Sequence, residues 1–413
     1  MKDSCNFEST LLPVDEALKK VLASLQVVAA SEKRSLRNAL GRVLAEAVYS
    51  AVNIPPERNA SMDGYAFASA DINQQAIFAL TQIGTSWAGK PFTGNLAKGE
   101  CVRIFTGAVV PKNADTVIMQ ERVKVENETI FFPAACQAQD NIRQVGEDIK
   151  QQACLLESSK RLEAVDLGLL ASAGVHSVEV VRKLRVAYFS TGDELTAIGQ
   201  SLQSGQIYDS NRYMLHGLLN DVSIDAVDMG VIADDKDLLK QALNSAAKDY
   251  DVIITTGGAS VGEADYIKAI LEELGQVNFW KIAIKPGKPL AFGNISDCVF
   301  FGLPGNPVSV MATFAKFVKP ALRKLSGLAE VKPLQINAVC DSVLNKVAGR
   351  QEYQRGILRQ QFDGTFVVTS AGGQGSNMLS SMSRANCYIV LPDYYTNVQV
   401  GEEVMVEPFE TFI

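Results

Sequence analysis

The segment Thr255–Tyr266, TTGGASVGEADY, decides how the rest of the chain is read. It follows Val252-Ile253-Ile254, a short apolar run that reads as a buried strand. It leads into an apolar helical pattern through Ile267, Ile270 and Leu271. A strand that empties through small residues, with Gly257 and Gly258 adjacent, into a helix can turn backbone N–H groups toward an anion. Glu263 and Asp265 sit beside that loop, and their charge repels a bare phosphate unless a cation bridges them. The segment predicts a site for a phosphorylated ligand with a divalent metal.

On either side, strand and helix patterns alternate. Val186–Phe189, Ile224–Val227, Val252–Ile254 and Cys298–Phe301 read as strands. Asn211–Leu219, Lys236–Ala247, Asp265–Leu274 and Pro307–Leu325 read as helices. This order predicts a largely parallel sheet covered on both faces, with ligands outside the C-terminal strand ends. No G-x-G-x-x-G supports a dinucleotide site. The strand ends share polar loops: Ser190-Thr191-Gly192-Asp193-Glu194, Tyr208-Asp209-Ser210-Asn211, Asp234-Asp235, the TTGGASVGEAD run with Gly257, Gly258 and Ser260, and Gly302 to Pro307 with Pro304. Asp209 and Ser210 also suit helix capping. Together the five loops describe a cleft.

Lys281, Lys285 and Lys288 lie in WKIAIKPGKP beside that cleft and read as an anion clamp. A spacing of four in an extended strand would put Lys281 and Lys285 on one face. The Asp63-Gly64 dipeptide reads by itself as a turn. Arg350 and Arg355 flank Glu352 and Tyr353, and Gly372 to Ser376 forms a loop able to meet an anion; the residues alone leave both open.

The remaining chain supplies the surroundings. Leu18, Val21, Leu22 and Leu25 follow one helix face after Pro13, and Leu36, Leu40, Val43 and Leu44 suggest a second helix. From Asn53 to about Asp148 short β-like runs dominate, among them Cys101–Phe105, Thr116–Met119 and Thr129–Phe132. Beyond Val331, alternating segments predict a small β-barrel or sandwich. The 413 residues call for two to four domains, and 47% hydrophobic residues suffice for real cores. The expected fold is a multidomain α/β protein with four parts. They are a discontinuous N-terminal helical linking domain (1–52 and 149–183), a β-rich insert (53–148), a three-layer α/β/α domain with a mainly parallel sheet (184–330) and a C-terminal β-barrel-like domain (331–413).

No apolar run has a membrane-spanning length, and MKDSCNFEST has no apolar signal core. A net charge of −7 argues against non-specific nucleic-acid binding. Seven scattered cysteines without C-x-x-C spacing argue against structural zinc and for reduced thiols, so the expected location is cytoplasmic. With only His176 and His216 present, chemistry falls to carboxylates, lysines, arginines and a metal.

SMDGYA, RIFTGAVVP, NIRQVGEDI, STGDEL, GQIYDSN, TTGGASVGEADY, KIAIKPGKPL and FFGLPGNPVS appear in that order. From about Leu12 to the C-terminus the chain closely resembles the MoeA family, the molybdopterin molybdenumtransferases, to which the gephyrin E domain belongs. The resemblance implies an enzyme that inserts molybdenum from molybdate into adenylated molybdopterin and releases AMP, using Mg²⁺ or a similar divalent ion. It implies an elongated homodimer whose cleft combines the α/β domain of one subunit with the insert of the other. It places catalytic roles on Asp63, Glu194, Asp234, Asp265, Lys281 and Lys285, with Glu194, Asp234 and Asp265 around the metal. Substrate contacts fall on Thr106, Arg143, Asp148, Pro304 and Pro307, and on Arg350, Arg355 and Ser376 in the C-terminal domain. Ser190, Thr191, Asp209, Ser210, Gly257, Gly258 and Ser260 join the substrate-binding set from the strand-end loops. The chain departs from the family at Gln151-Gln152 and Ser158 to Lys160, where glycine is more common. With no fused adenylating domain, a separate adenylyltransferase is the expected source of substrate and a transient partner. Competing readings are a MogA-type adenylyltransferase and a scaffold of the same fold that has lost catalysis.

Overall fold

The computed structural model describes residues 11–28, 30–257, 266–329 and 332–409. A six-stranded sheet lies at its centre, in the order Ile224–Ile232, Leu184–Thr191, Val252–Thr256, Cys298–Leu303, Pro289–Ile295, Gly275–Lys281. The first four strands run parallel and the last two are antiparallel. Both faces are covered, which is why the middle strands read as unbroken apolar runs. Alternate residues sort to opposite faces. Val186, Tyr188, Ile254 and Phe301 pack with Leu215, Val308, Phe314 and Phe317. Ala187, Phe189, Ile253 and Phe300 pack with Leu239, Leu243, Ile267 and Ile270.

The linking region joins distant stretches by strand pairing. Ser31–Ser35 pairs with Ser177–Val181, and Val48–Tyr49 with Cys154–Leu156. Leu44, Leu156, Leu162, Leu170 and Val180 form its core. Two expectations change here. The helix through Leu36 to Leu44 is only Leu36–Ala39; Gly41 turns left-handed at φ 74°, and Val43 and Leu44 enter β-bridges. The helix Val14–Ala23 belongs with the α/β domain, because Val14, Ala17, Val21 and Leu25 share its core with Leu322 and Leu325.

The insert is a second six-stranded sheet, ordered Thr116–Met119, Gly64–Phe67, Glu100–Ile104, Phe78–Ser86, Thr129–Phe132, Lys124–Glu126. Phe67, Phe78 and Phe132 cluster on it.

In the C-terminal domain, Gln351–Gln360, Phe366–Ser370, Ile336–Cys340, Glu403–Pro408 and Cys387–Leu391 close into a five-strand barrel. Closure removes exposed edges. Gly356, where the first strand passes between two neighbours, has no room for a side chain: an added Cβ would lie 2.8 Å from both Ile389 and Val368. The barrel packs on the long helical run from Pro307 to Leu325, which contains a π-helical stretch Phe314–Val318 just before Pro320. Proline cannot donate into the helix and its ring crowds the carbonyl four residues back, so the widened turn absorbs it. That stretch carries Lys316 into the interface, where it pairs with Glu407 and lies 4.3 Å from the Tyr353 ring centroid.

Candidate active site

The C-terminal ends of the parallel strands form a polar edge. Ser190, Thr191, Thr255 and Thr256 are all buried there. Ser190 Oγ and Thr256 Oγ1 are 2.9 Å apart. Thr255 Oγ1 has no hydrogen-bond partner among the described residues. Gly257 follows at φ 86°, and an added Cβ would sit 2.4 Å from the Thr191 carbonyl oxygen, so only glycine fits. Gly258, Ser260, Glu263 and Asp265 lie outside the described residues.

Beside these hydroxyls lies an acidic group. The Asp234 amide approaches Asp193 Oδ1 at 3.5 Å. Burial and the negative Asp193 raise the Asp234 carboxyl pKa above its ordinary value; a Thr191 hydrogen bond opposes this and Glu194 adds to it. Like charges that hold a carboxyl up in this way suit a hard cation such as Mg²⁺, which takes oxygen ligands. Among the described residues no set of three acidic, histidine or cysteine side chains is placed to hold a metal alone. The remaining ligands would come from substrate oxygens or from the undescribed loop.

Asp209 is committed elsewhere. It is 2% exposed, and its carboxylate accepts from the Arg212 amide and Nε at 3.2 and 3.1 Å. It anchors the Asn211–Leu218 helix rather than facing a ligand, and Ser210 precedes that helix without a side-chain cap bond. Asn211, read from sequence only as a helix start, reaches the Gly305 carbonyl at 2.7 Å, and its own buried Oδ1 has no partner among the described residues. It ties the helix to the loop of Pro304 and Pro307. The only signal was its adjacency to Asp209-Ser210.

The lysines do not share one strand. Lys281 ends Gly275–Lys281, whereas Lys285 belongs to Ile284–Lys285, which pairs with Gln351 and Glu352 of the barrel. The Ile282 amide bonds back to the Lys288 carbonyl between them, so the same-face spacing does not apply. Lys281 is exposed with no ion-pair partner among the described residues. Lys285 Nζ meets Glu352 at 3.1 Å and stays 43% exposed. Lys288 is also exposed.

In the barrel, Arg350 is half-buried next to the Gln351–Ile284 pair. The Ser376 carbonyl accepts from Val308 N at 3.1 Å, which sets its loop against the Pro307 turn. Arg355 departs from the anion-contact reading. It is 1% exposed and its guanidinium donates to the carbonyls of Gly373 and Gly375 and to Ser381 Oγ. Burial lowers its pKa. The side chain staples the Gly372–Ser376 loop from beneath.

A second polar corner lies on the insert. Asp63 Oδ1 accepts from both the Thr106 amide and hydroxyl, at 2.8 and 2.9 Å. Those bonds hold its carboxyl below the usual range. Arg143 and Asp148 are exposed near the junction with the linking region. Among the described residues no hydrogen bond or ion pair joins this corner to the strand-end edge.

Three family signatures match the chain: the MoeA N-terminal region (domain I and II) over residues 12–174, a "Probable molybdopterin binding domain" over 187–324, and the MoeA C-terminal region (domain IV) over 337–409. A molybdopterin molybdenumtransferase of Haemophilus influenzae is 43% identical across 97% of this chain and 99% of its own. A gephyrin of Dictyostelium discoideum is 34% identical over 95% of this chain and 62% of its own length. The crystal structure of the molybdopterin biosynthesis MoeA protein of Pyrococcus horikoshii superposes with a TM-score of 0.85 at 31% identity, over 97% of this chain and all of that one (100%). Signatures across nearly the whole length, a full-length relative and a shared fold agree, and the chain belongs to the MoeA family.

Proposed function

We propose that this protein is a molybdopterin molybdenumtransferase: it takes adenylated molybdopterin and molybdate, places molybdenum on the dithiolene and releases AMP. The observation that carries this reading is the strand-end edge. There, buried hydroxyls, one of them unpartnered among the described residues, adjoin a glycine turn and a carboxylate pushed toward its protonated form by burial and its acidic neighbours. The full-length H. influenzae relative supports it.

Ser190, Thr255, Thr256 and the Gly257 backbone hold and orient phosphate or pterin oxygens. Glu194, Asp234 and Asp265 are the residues for Mg²⁺, which when bound would offset charge developing as the phosphoanhydride breaks. Lys281 and Lys285 attract molybdate, a dianion, with Arg350 and the Ser376 loop on the barrel side. Arg355 keeps that loop in place. Among the described residues, the Asp63–Thr106 corner, with Arg143 and Asp148, has no partner on the strand-end edge of its own chain. A homodimer that brings this corner to another subunit's edge completes the cleft. The adenylated substrate arrives from a separate adenylyltransferase. A cytoplasmic setting fits the free, mostly buried thiols, and among the described residues no helix is long and apolar enough to cross a membrane.

The test is Asp265→Asn with Mg²⁺ supplied. Molybdate-dependent AMP release should be lost while the melting temperature holds. Near-normal release from a folded variant removes Asp265 from the mechanism.

A further inference from the structure

Beneath the exposed cations at the barrel junction lies a buried carboxylate that the proposed chemistry leaves without a role. Glu352 is the second residue of the strand Gln351–Gln360 and is 3% exposed. A charge at that depth is kept only where it is paired and hydrogen-bonded. Both of its oxygens are occupied. Oε1 accepts from Lys285 Nζ at 3.1 Å, and Oε2 accepts from Gln354 Nε2 at 3.1 Å. Gln354 is itself buried, and its amide also donates to the Asn345 carbonyl at 2.9 Å, which fixes it from a second side.

The two members of the ion pair come from different domains. Lys285 lies on the short strand Ile284–Lys285, which leaves the α/β segment to pair in parallel with Gln351 and Glu352 of the barrel. Glu352 takes one of the three donors of the ammonium. The side chain stays 43% exposed, and it has no other ion-pair partner among the described residues. Lys285 is thus held at one point and open elsewhere.

Arg350 is fixed from below as well. Lys346 is 4% exposed, and its Nζ donates to the carbonyls of Arg350 at 2.9 Å and Val347 at 3.2 Å. Those bonds set the backbone that carries Arg350. Burial lowers the Lys346 pKa; Glu352 and Asp393 oppose this, while Lys285 and Arg350 add to it. Both exposed cations therefore stand within charge range of the same buried ammonium.

We propose that Glu352 is a positioning residue for the molybdate step: its carboxylate holds Lys285 beside Arg350, so that two cations meet the dianion already in place. It acts through Lys285 and touches no substrate itself. The identity of the anion rests on the transferase reading, while the positioning is separable from AMP release.

A simple count of charge gives the opposite sign. Removing a negative charge close to an anion site tightens binding of a dianion. Removing a brace weakens it, because a free lysine must then be ordered by the ligand. Glu352→Gln separates the two. A carboxylate accepts from both neighbours, whereas an amide has one oxygen and turns its NH₂ toward either Lys285 or Gln354. Gln354 is fixed by Asn345, so Lys285 is the side chain released.

The experiment measures molybdate binding to the full chain by calorimetry, with melting temperatures, for the parent, Glu352→Gln, Lys285→Met and the double variant. Glu352→Gln should bind molybdate roughly three- to tenfold more weakly. In the Lys285→Met background the same change should alter affinity by less than about twofold, because the brace has nothing left to hold. In AMP release the loss should appear as a KM for molybdate raised by the same factor, with kcat within about twofold of the parent. Unchanged or tighter binding in Glu352→Gln overturns the assignment. So does a loss that keeps its full size without Lys285, because Glu352 then supports only the fold. Should Glu352→Gln fail to fold, Gln354→Met removes just the bond to Oε2 and decides instead. It should weaken binding by about two- to threefold, and have no effect once Lys285 is replaced; unchanged affinity there overturns the assignment too. If molybdate binds and the four chains behave as described while AMP release is absent, the positioning role stands and the transferase reading falls.

Discussion

The two ends of the central sheet are built from the same residue types and treat them oppositely. At the N-terminal end, Asp251 is saturated: Arg182 grips it with two bonds of 2.7 Å, and the Arg185 amide donates at 2.8 Å. At the C-terminal end, Asp234 faces Asp193 and Glu194, and the Thr255 hydroxyl has no partner among the described residues. Burial penalises the charge on both aspartates, but at Asp251 the bonds and charges of Arg182 and Arg185 together outweigh it and the pKa falls, whereas at Asp234 the acidic neighbours add to it and the pKa rises. One end is finished by the fold. The other keeps like charges together and, among the described residues, leaves a buried hydroxyl unpaired.

Substitutions can break or sharpen this contrast. The largest expected effect lies where committed charge is deepest, at the barrel interface. Glu407→Ala strands the Lys316 ammonium among Tyr353 and Tyr388, and should cost about 3–5 kcal/mol in denaturant unfolding. Replacing both, as Lys316→Met with Glu407→Leu, should recover most of that loss. A double variant as unstable as the single one would show that the pair is not what stabilises the interface.

Asp251→Asn comes next. Because the pair is partly solvated, it should cost about 1–2 kcal/mol at neutral pH and leave AMP release unchanged. The folded pKa of Asp251 lies below its unfolded value, so its contribution is complete above the ordinary carboxylate range and is lost as pH falls through the folded value. The parent should therefore lose its advantage over Asp251→Asn in acid. An advantage that instead grows in acid would contradict the assignment.

The smallest effect on stability has the opposite sign. Asp234 has a folded pKa above its unfolded one, so its charge opposes folding once pH rises past the ordinary range. Asp234→Asn should stabilise the protein slightly, by less than about 1 kcal/mol given its partial exposure, while suppressing AMP release. A destabilised variant would place Asp234 with Asp251 among the structural carboxylates.

The sheet was legible in the sequence because Val252 to Ile254 and Val299 to Phe301 are buried on both faces and leave no alternation to misread. Ser31–Ser35 was not, because the strand is mostly exposed and polar and exists only through its pairing with Ser177–Val181. The strand-end loops were readable as a group, since each is rich in small, polar or acidic residues. The fate of a single charge was not. Arg355 and Arg350 look alike in sequence, yet only the fold shows that the Gly373 and Gly375 carbonyls close over Arg355. Lys281 and Lys285 keep a spacing of four, but a strand break between them assigns one to the sheet and the other to the barrel. Nor does the motif order show that Asp209 is used up by Arg212.

The most direct measurement incubates the purified full chain with adenylated molybdopterin and Mg²⁺, with and without molybdate, and follows AMP; a parallel arm supplies ATP and unmodified molybdopterin. The account predicts AMP release that depends on molybdate in the first arm, and no adenylated product in the second. Accumulation of adenylated molybdopterin from ATP, with no molybdate-dependent release, would contradict it.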